Sequence, residues 1–193
     1  MTAARLPEEA ASAQSALALV ALGSNLGDRL MHIRHAVERL AAHPAVRLLR
    51  CSRVIETPPM GPQDQGPYLN AVVAFDTNAR PDELLALCRQ IEKVGRRQRT
   101  DHWGPRTIDL DLVDVGGRIC DTPELRLPHP GVGQRAFVLI PLSDVAPAWR
   151  HPETGEPLGE MIAKIGRRER EQMRVVAGPG QWCSETVRAG GTT

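Results

Sequence analysis

Aromatic side chains are scarce in this chain: one Tyr, two Phe and three Trp among 193 residues, 3% in all. A protein that coats nucleic acid needs a basic surplus and stacking rings on its binding surface, and a formal net charge of +1 with so few rings argues against that task. No Cys-x-x-Cys occurs, and Cys51, Cys88, Cys120 and Cys183 are widely scattered. Neither a zinc site nor a small disulfide framework is indicated, so all four are expected as reduced thiols. No Gly-x-x-x-x-Gly-Lys-Ser/Thr phosphate loop is present. No segment approaches the ~20 apolar residues of a membrane helix. The short apolar run SALALVALG follows Glu8, Glu9 and a single arginine, Arg5, and no cleavage signature comes after it, so a signal peptide is not expected and a cytoplasmic location is.

With 24% charged and 41% hydrophobic residues, the chain has the balance of one globular domain with a modest appendage. Residues 1–14 read as a loose leader, 15–160 as the domain, and 161–193 as a partly flexible C-terminal extension. ALALVAL reads as a buried strand closed by GSNLGDR. DRLMHIRHAVERLAAHP then carries Leu30, Ile33, Val37 and Leu40 at helical spacing, with Asp28 as N-cap and Pro44 as stop. VRLLRCSRVIET is extended, and the proline-rich loop PPMGPQDQGP leads to the strand YLNAVVAFDT. RPDELLALCRQIEKVGR forms a second helix with Leu84, Leu87, Cys88 and Ile91 on one stripe. A strand at TIDLDLV completes the order β-α-β-β-α-β, an α+β fold in which one antiparallel sheet carries both helices on one face. A hairpin, a Pro/Gly loop and a short helix around Phe137 to Asp144 follow. GPGQWCSETVRAGGTT reads as tail, so that trimming residues 178–193 is expected to change little.

The chemistry concentrates in WGPRTIDLDLV. Side chains alternate along a strand, so Thr107, Asp109 and Asp111 share one face while Ile108, Leu110 and Leu112 take the other. The two aspartates stand roughly 6–7 Å apart at their α-carbons. Like charges so close call for a cation, and oxygen-only ligands suit Mg²⁺, which typically takes one or two carboxylates and completes its shell with water and phosphate. The competing reading is a solvated strand face with incidental acids. GRRQRTDHWGPR adds Arg96, Arg97, Arg99 and Arg106 just before the pair, and acids for metal with arginines for phosphate describe a polyphosphate site. Trp103 stands among these charges, where a flat ring can stack on or close over a ligand. Tyr68 and Asn70 offer a ring and an amide for a heterocycle, although an Asn in such a place also satisfies backbone in turns and Phe137 would ordinarily be core.

Together, ALGSNLGDR, TPPMGPQDQGPYLNAVV, IEKVGRRQR, WGPRTIDLDL and LPHPGVGQRAFVLIPL, spread in order from about Ala18 to Pro147, resemble the 6-hydroxymethyl-7,8-dihydropterin pyrophosphokinases of folate biosynthesis. The resemblance implies a ferredoxin-like fold and transfer of the β,γ-pyrophosphoryl group of Mg-ATP to the pterin hydroxymethyl oxygen, leaving AMP. It implies that Asp109 and Asp111 bridge two Mg²⁺ ions and that Arg96 and Arg106 act on phosphate. Glu92, Arg89, Arg99, Trp103, Leu112, His129 and Arg135 fall on the ATP side. Thr57, Pro58, Met60, Tyr68, Asn70, Trp103 and Phe137 fall on the pterin side, with Tyr68 and Phe137 stacking and Asn70 reading the pterin edge. Gln98 stands where some members have an arginine, which leaves Arg97 and Arg99 as alternatives, and Pro130 stands where some have an aromatic. The expected partners are the two small-molecule substrates, with no nucleic acid and no membrane, and the expected state is a monomer. The rivals are a ferredoxin-like nucleic-acid-binding module, which would need a basic face with aromatics, and a metal-dependent nuclease, which would need no ATP.

Overall fold

The run from Ala16 to Ser24 is apolar at successive positions because helices lie over both of its faces. Ala18, Val20 and Leu22 turn to one layer, with Ile33, Val37, Leu40, Leu84 and Ile91. Leu19 and Ala21 turn to the other, with Val138, Leu139 and Leu142. In a computed structural model that describes residues 15–59, 65–95 and 107–183, the order is β1 (Ala16–Ser24), α1 (Arg29–Ala41), β2 (Val46–Cys51), β3 (Val54–Thr57), β4 (Tyr68–Thr77), α2 (Pro81–Val94) and β5 (Asp109–Val115). A ribbon of β6 (Cys120–Asp121) and β7 (Arg126–Leu127) follows, then α3 (Ala136–Val145), α4 (Leu158–Ala163), α5 (Arg167–Glu171) and β8 (Arg174–Ala177). The expected leader, residues 1–14, lies outside the described residues.

Local chemistry explains the helix ends. Asp28 caps α1, its carboxylate accepting from the Met31 amide at 3.0 Å. α2 starts at Pro81, whose missing N–H costs nothing at that position, and Glu83 reaches back to accept from the Arg80 amide at 2.8 Å. The sheet order is β5-β1-β4-β3-β8, with β2 also on β4, and every pair is antiparallel. This is the expected α+β arrangement of one antiparallel sheet with α1 and α2 on one face.

Three features depart from expectation. VRLLRCSRVIET is two strands rather than one, because Ser52 interrupts the ladder. Its hydroxyl accepts from the Val72 amide at 2.9 Å and donates to the Arg53 carbonyl at 2.6 Å, in place of regular strand bonding. The second face of the sheet is not left open: α3, with Trp149, Leu158 and Met161 beyond it, covers Leu19, Val72, Ala74 and Val113. α3 is tied down by Arg53, which grips Asp144 through Nε at 2.8 Å and Nη2 at 2.7 Å.

The third departure is the C-terminal stretch, whose reading as tail is corrected as far as Cys183. β8 pairs with β3 at the sheet edge, and Trp182 is 1% exposed within the core beneath α1. Its indole Nε1 donates to the Ser52 carbonyl at 2.6 Å, the Gly180 amide donates to the Cys51 carbonyl at 3.1 Å, and Arg34 Nε donates to the Trp182 carbonyl at 2.9 Å. Residues 178–183 thus satisfy carbonyls that the Ser52 break releases from the ladder. The same return corrects the expectation of four thiols. Cys183 is disulfide-bonded to Cys51, 132 residues away, and Cys88 and Cys120 are the free cysteines among the described residues. No spacing rule reports a pair brought together by a strand added at the far edge.

Candidate active site at the uncovered end of the sheet

α3 covers one end of its face of the sheet, and the other end carries the polar residues. Asp109 lies opposite Gly23 of β1 and Asp111 opposite Ala21, while Asn70 of β4 lies opposite Gly23 on its other side. Leu110 and Leu112 turn into the core with α1 and α2, 5% and 4% exposed. The alternation expected for the two aspartates therefore holds. Leu112, assigned to the nucleotide side by resemblance, has its side chain in the core on the opposite face.

Two contacts hold β5 in place. Buried Glu92 of α2 accepts from the Leu110 amide at 2.9 Å, so a helix carboxylate grips the backbone between the two aspartates. Ser24 donates to the Thr107 carbonyl at 2.6 Å, where the chain enters the strand. Further along, a one-residue bulge at Val113 shifts the register against Leu19 and Val20. Such a bulge turns a carbonyl out of the ladder, and the Val113 oxygen receives the His129 amide at 2.9 Å.

That bond hangs His129 beside the aspartates. Its Nδ1 accepts from the Gly131 amide at 3.1 Å, which assigns the ring proton to Nε2, 3.8 Å from Asp111 Oδ2. Arg135 Nη1 stands 3.5 Å from the same oxygen, with its guanidinium carbon 5.9 Å from the centre of the Phe137 ring. Burial pushes the His129 imidazole below its ordinary range; Asp111 pulls it up and Arg135 pushes it down. On the buried side of α2, burial, Glu92 and Asp111 push the Cys88 thiol up to about 12, so it is no nucleophile.

The other end of the face is built from neutral groups. Asn70, 6% exposed, donates through Nδ2 to the Thr57 hydroxyl at 2.8 Å, and its Oδ1 faces the space over Gly23. Tyr68 donates its hydroxyl to Gln65 Oε1 at 3.3 Å, and Asn25 donates to the same oxygen at 3.2 Å. Behind Thr57, Glu56 is shared by Arg29 and Arg174, both at 2.9 Å, and Arg29 also donates to the Pro67 carbonyl at 2.7 Å. The Arg174 contact, ahead of that of Arg29, holds the Glu56 carboxyl below its ordinary range against a smaller opposing effect of burial.

The structure thus brings together Asp109, Asp111, His129 and Arg135 at one end and Thr57, Tyr68 and Asn70 at the other. Phe137 is half-buried at the start of α3, and Pro58 is exposed just past β3. Glu92 lies beneath the face as a support, and Arg89 is exposed on α2, donating to the Glu124 carbonyl at 3.2 Å. Met60, Arg96, Arg97, Arg99, Trp103 and Arg106 lie outside the described residues. Sequence reasoning missed Gly23, Gln65 and the Glu56 pair of arginines. Only Gly23 carried a signal, as a glycine at the end of an apolar strand.

No group of three or more His, Cys, Asp or Glu residues suited to a metal occurs among the described residues. Two carboxylates on one face, with nothing softer beside them than a histidine already bonded through Nδ1, fit a hard cation that fills its remaining positions with water and phosphate oxygens. No helix among the described residues is long and apolar enough to cross a membrane.

Comparison with known proteins agrees with this geometry. The family profile of 7,8-dihydro-6-hydroxymethylpterin-pyrophosphokinase (HPPK) matches residues 19–147. A Methylorubrum extorquens protein named 2-amino-4-hydroxy-6-hydroxymethyldihydropteridine pyrophosphokinase is 43% identical over 148 residues, covering 77% of this chain and 92% of that protein. Proteins of the same name from Pseudomonas aeruginosa, 42% identical over 144 residues, and Bacillus subtilis, 43% identical over 129, cover 75% and 67% of this chain and 88% and 77% of theirs. Among solved structures, a mutant Plasmodium falciparum HPPK-DHPS crystallised with pteroate superposes with a TM-score of 0.63 at 12% identity. The match covers 86% of this chain and 47% of that one, so the present chain spans about half of the Plasmodium protein, and the likeness bears on the fold alone.

Proposed function

The chain belongs to the 7,8-dihydro-6-hydroxymethylpterin-pyrophosphokinase family, and on that premise we propose that it transfers the β,γ-pyrophosphoryl group of ATP to the hydroxymethyl oxygen of 6-hydroxymethyl-7,8-dihydropterin. In this reaction the hydroxymethyl oxygen loses its proton and bonds to the β-phosphorus, the bond from that phosphorus to the α,β-bridging oxygen breaks, and AMP leaves. The product serves folate biosynthesis. The observation that carries the reading is the meeting at Gly23 of Asn70 on one side and Asp109 on the other. A heterocycle reader and a cation-binding pair face each other across one bare strand position.

The roles follow from the chemistry of each end. Asp109 and Asp111 would hold two Mg²⁺ ions, which when bound offset charge on the triphosphate and make the attacking oxygen a better nucleophile. Arg135 extends the positive charge along the nucleotide, His129 offers its Nε2–H as a neutral donor beside it, and Glu92 keeps the aspartate-bearing backbone in place from below. Asn70, its amide aligned by Thr57, reads the pterin edge through one donor and one acceptor. Tyr68 and Phe137 supply rings for the pterin faces. Positioning and charge neutralisation supply most of the catalysis in transfers of this class, so a site without a protein nucleophile suffices.

The strand order with α1 and α2 on one face supports a ferredoxin-like core, extended here by β8. A monomer in the cytoplasm using only small-molecule substrates completes the proposal. An aspartate-bearing face repels nucleic-acid phosphate, and no comparison supports the nucleic-acid-binding reading.

Product analysis tests it. The purified protein mixed with Mg-ATP and 6-hydroxymethyl-7,8-dihydropterin should form AMP in step with pterin consumption. ADP in place of AMP would overturn pyrophosphoryl transfer.

A further inference from the structure

Glycine within a strand costs about 0.5–1 kcal/mol relative to alanine, so its presence at position 23 needs a reason. One ordinary reason is a backbone of positive φ, and among the described residues that set is Gly27, Gly116, Gly117, Gly155 and Gly180, without Gly23. The other is crowding. At Gly95 an added Cβ would stand 2.8 Å from Ile108 Cγ2, and the chain itself excludes a side chain there. At Gly23 the same added atom would find Asn70 Oδ1 at 3.6 Å, Asp109 Cβ at 3.9 Å and Tyr68 Cδ1 at 3.9 Å, which is ordinary contact. Among the described residues, neither backbone geometry nor packing calls for glycine at this position.

The three atoms that bound the space over Gly23 belong to the amide and ring of the pterin end and to the first aspartate of the cation end. We propose that Gly23 is a specificity-determining residue, its bare backbone forming the floor under which no side chain intrudes where the 6-hydroxymethyl arm of the pterin crosses from Asn70 toward Asp109. This rests on the function proposed above. The register shift of β1 falls at Leu19 and Val20, away from Gly23, and close approach of a ligand to the backbone is a further reason for a glycine within a strand. A methyl group there occupies the place of the arm while leaving the ring pocket bounded by Thr57 and Asn70 unchanged.

The test compares wild type with Gly23→Ala and Gly23→Val, using two probes: unsubstituted pterin, which has the ring but no arm, and 6-hydroxymethylpterin. Thermal unfolding is recorded alongside. A single methylene in a fitted pocket is worth about 10- to 200-fold. Gly23→Ala should therefore keep its melting temperature and its affinity for unsubstituted pterin, lose about 10-fold or more in affinity for 6-hydroxymethylpterin, and lose kcat with it. Gly23→Val should lose more. Equal weakening of both probes would put Gly23 under the ring and overturn the assignment, as would unchanged affinity and turnover. A melting temperature that falls with side-chain size while the probes' affinity ratio stays constant would show a merely structural glycine and overturn it too. If wild type makes AMP and the variants behave like it, only this inference fails. If wild type binds neither pterin and makes no AMP, the proposed function itself fails.

Discussion

The two ends of the uncovered face are held in different ways. At the β5 end, Arg135 and His129 approach Asp111 to 3.5 and 3.8 Å on long, charged or polar side chains that reach in from the loop after β7. At the β3/β4 end, Asn70 and Thr57 meet at 2.8 Å in a neutral bond between two buried residues. Behind that bond stands a chain of supports: Glu56 with its two arginines, then β8, then Trp182. A reader of a rigid, uncharged ring edge gains from groups already aligned. A site for a flexible polyanion gains from charges that can adjust to it.

The sharpest way to break this contrast is to remove charge from one end alone. Asp109→Asn and Asp111→Asn should each cost several kcal/mol of transition-state stabilisation, about 10³-fold in kcat, with the fold intact because neither side chain lies in the core. Steady-state rates and circular dichroism would check this, and normal turnover in either variant would remove the cation assignment. A second variant attacks the supports of the other end. Trp182→Ala should destabilise the protein by about 3–5 kcal/mol, as for other buried tryptophans, read by chemical denaturation. With the protein still folded, it should raise KM for the pterin more than KM for ATP, since the Ser52 carbonyl and the adjoining β3 lose their prop. An equal change in both would mean that the two ends are not separately held. Removal of residues 178–193 should be at least as damaging, against the expectation from sequence.

The smallest effect concerns α3, the element that limits the uncovered face. Burial works to raise the Asp144 carboxyl, but the side-chain and backbone hydrogen bonds of Arg53 and its charge outweigh it and hold the group below 3.8. A carboxylate depressed on folding adds stability that is present above its unfolded value and lost as pH falls through the folded one. Asp144→Asn should therefore lower stability at neutral pH by about 1–3 kcal/mol, the scale of hydrogen bonds to a charged group. The gap between variant and wild type should begin to narrow below about pH 4 and close only as pH falls through the lower folded value, as melting curves across pH would reveal. A gap independent of pH would mean that the contact contributes by shape alone.

Periodicity makes α1, α2 and the major strands legible in the sequence, because a single apolar stripe or an alternation is a local property. The facing of Asp109 and Asp111 was legible for the same reason, and the Gly/Pro-rich motifs pointed to the family. The second cover by α3 was not, since the helix was visible but nothing local says which sheet face it will choose. The Ser52 break was hidden because one hydroxyl replaces a ladder bond without disturbing the apolar pattern.

Local composition and spacing were enough to settle that this chain builds an antiparallel sheet under two amphipathic helices and presents two carboxylates from one strand. Folding alone decided that Trp182 would be core and not tail, that Cys51 would find Cys183, and that Asn70 and Asp109 would flank the same glycine. Each of these depends on contacts between segments far apart in the chain, where the gain comes from burial and hydrogen bonding after the sheet has closed. No periodicity within either segment records such a contact.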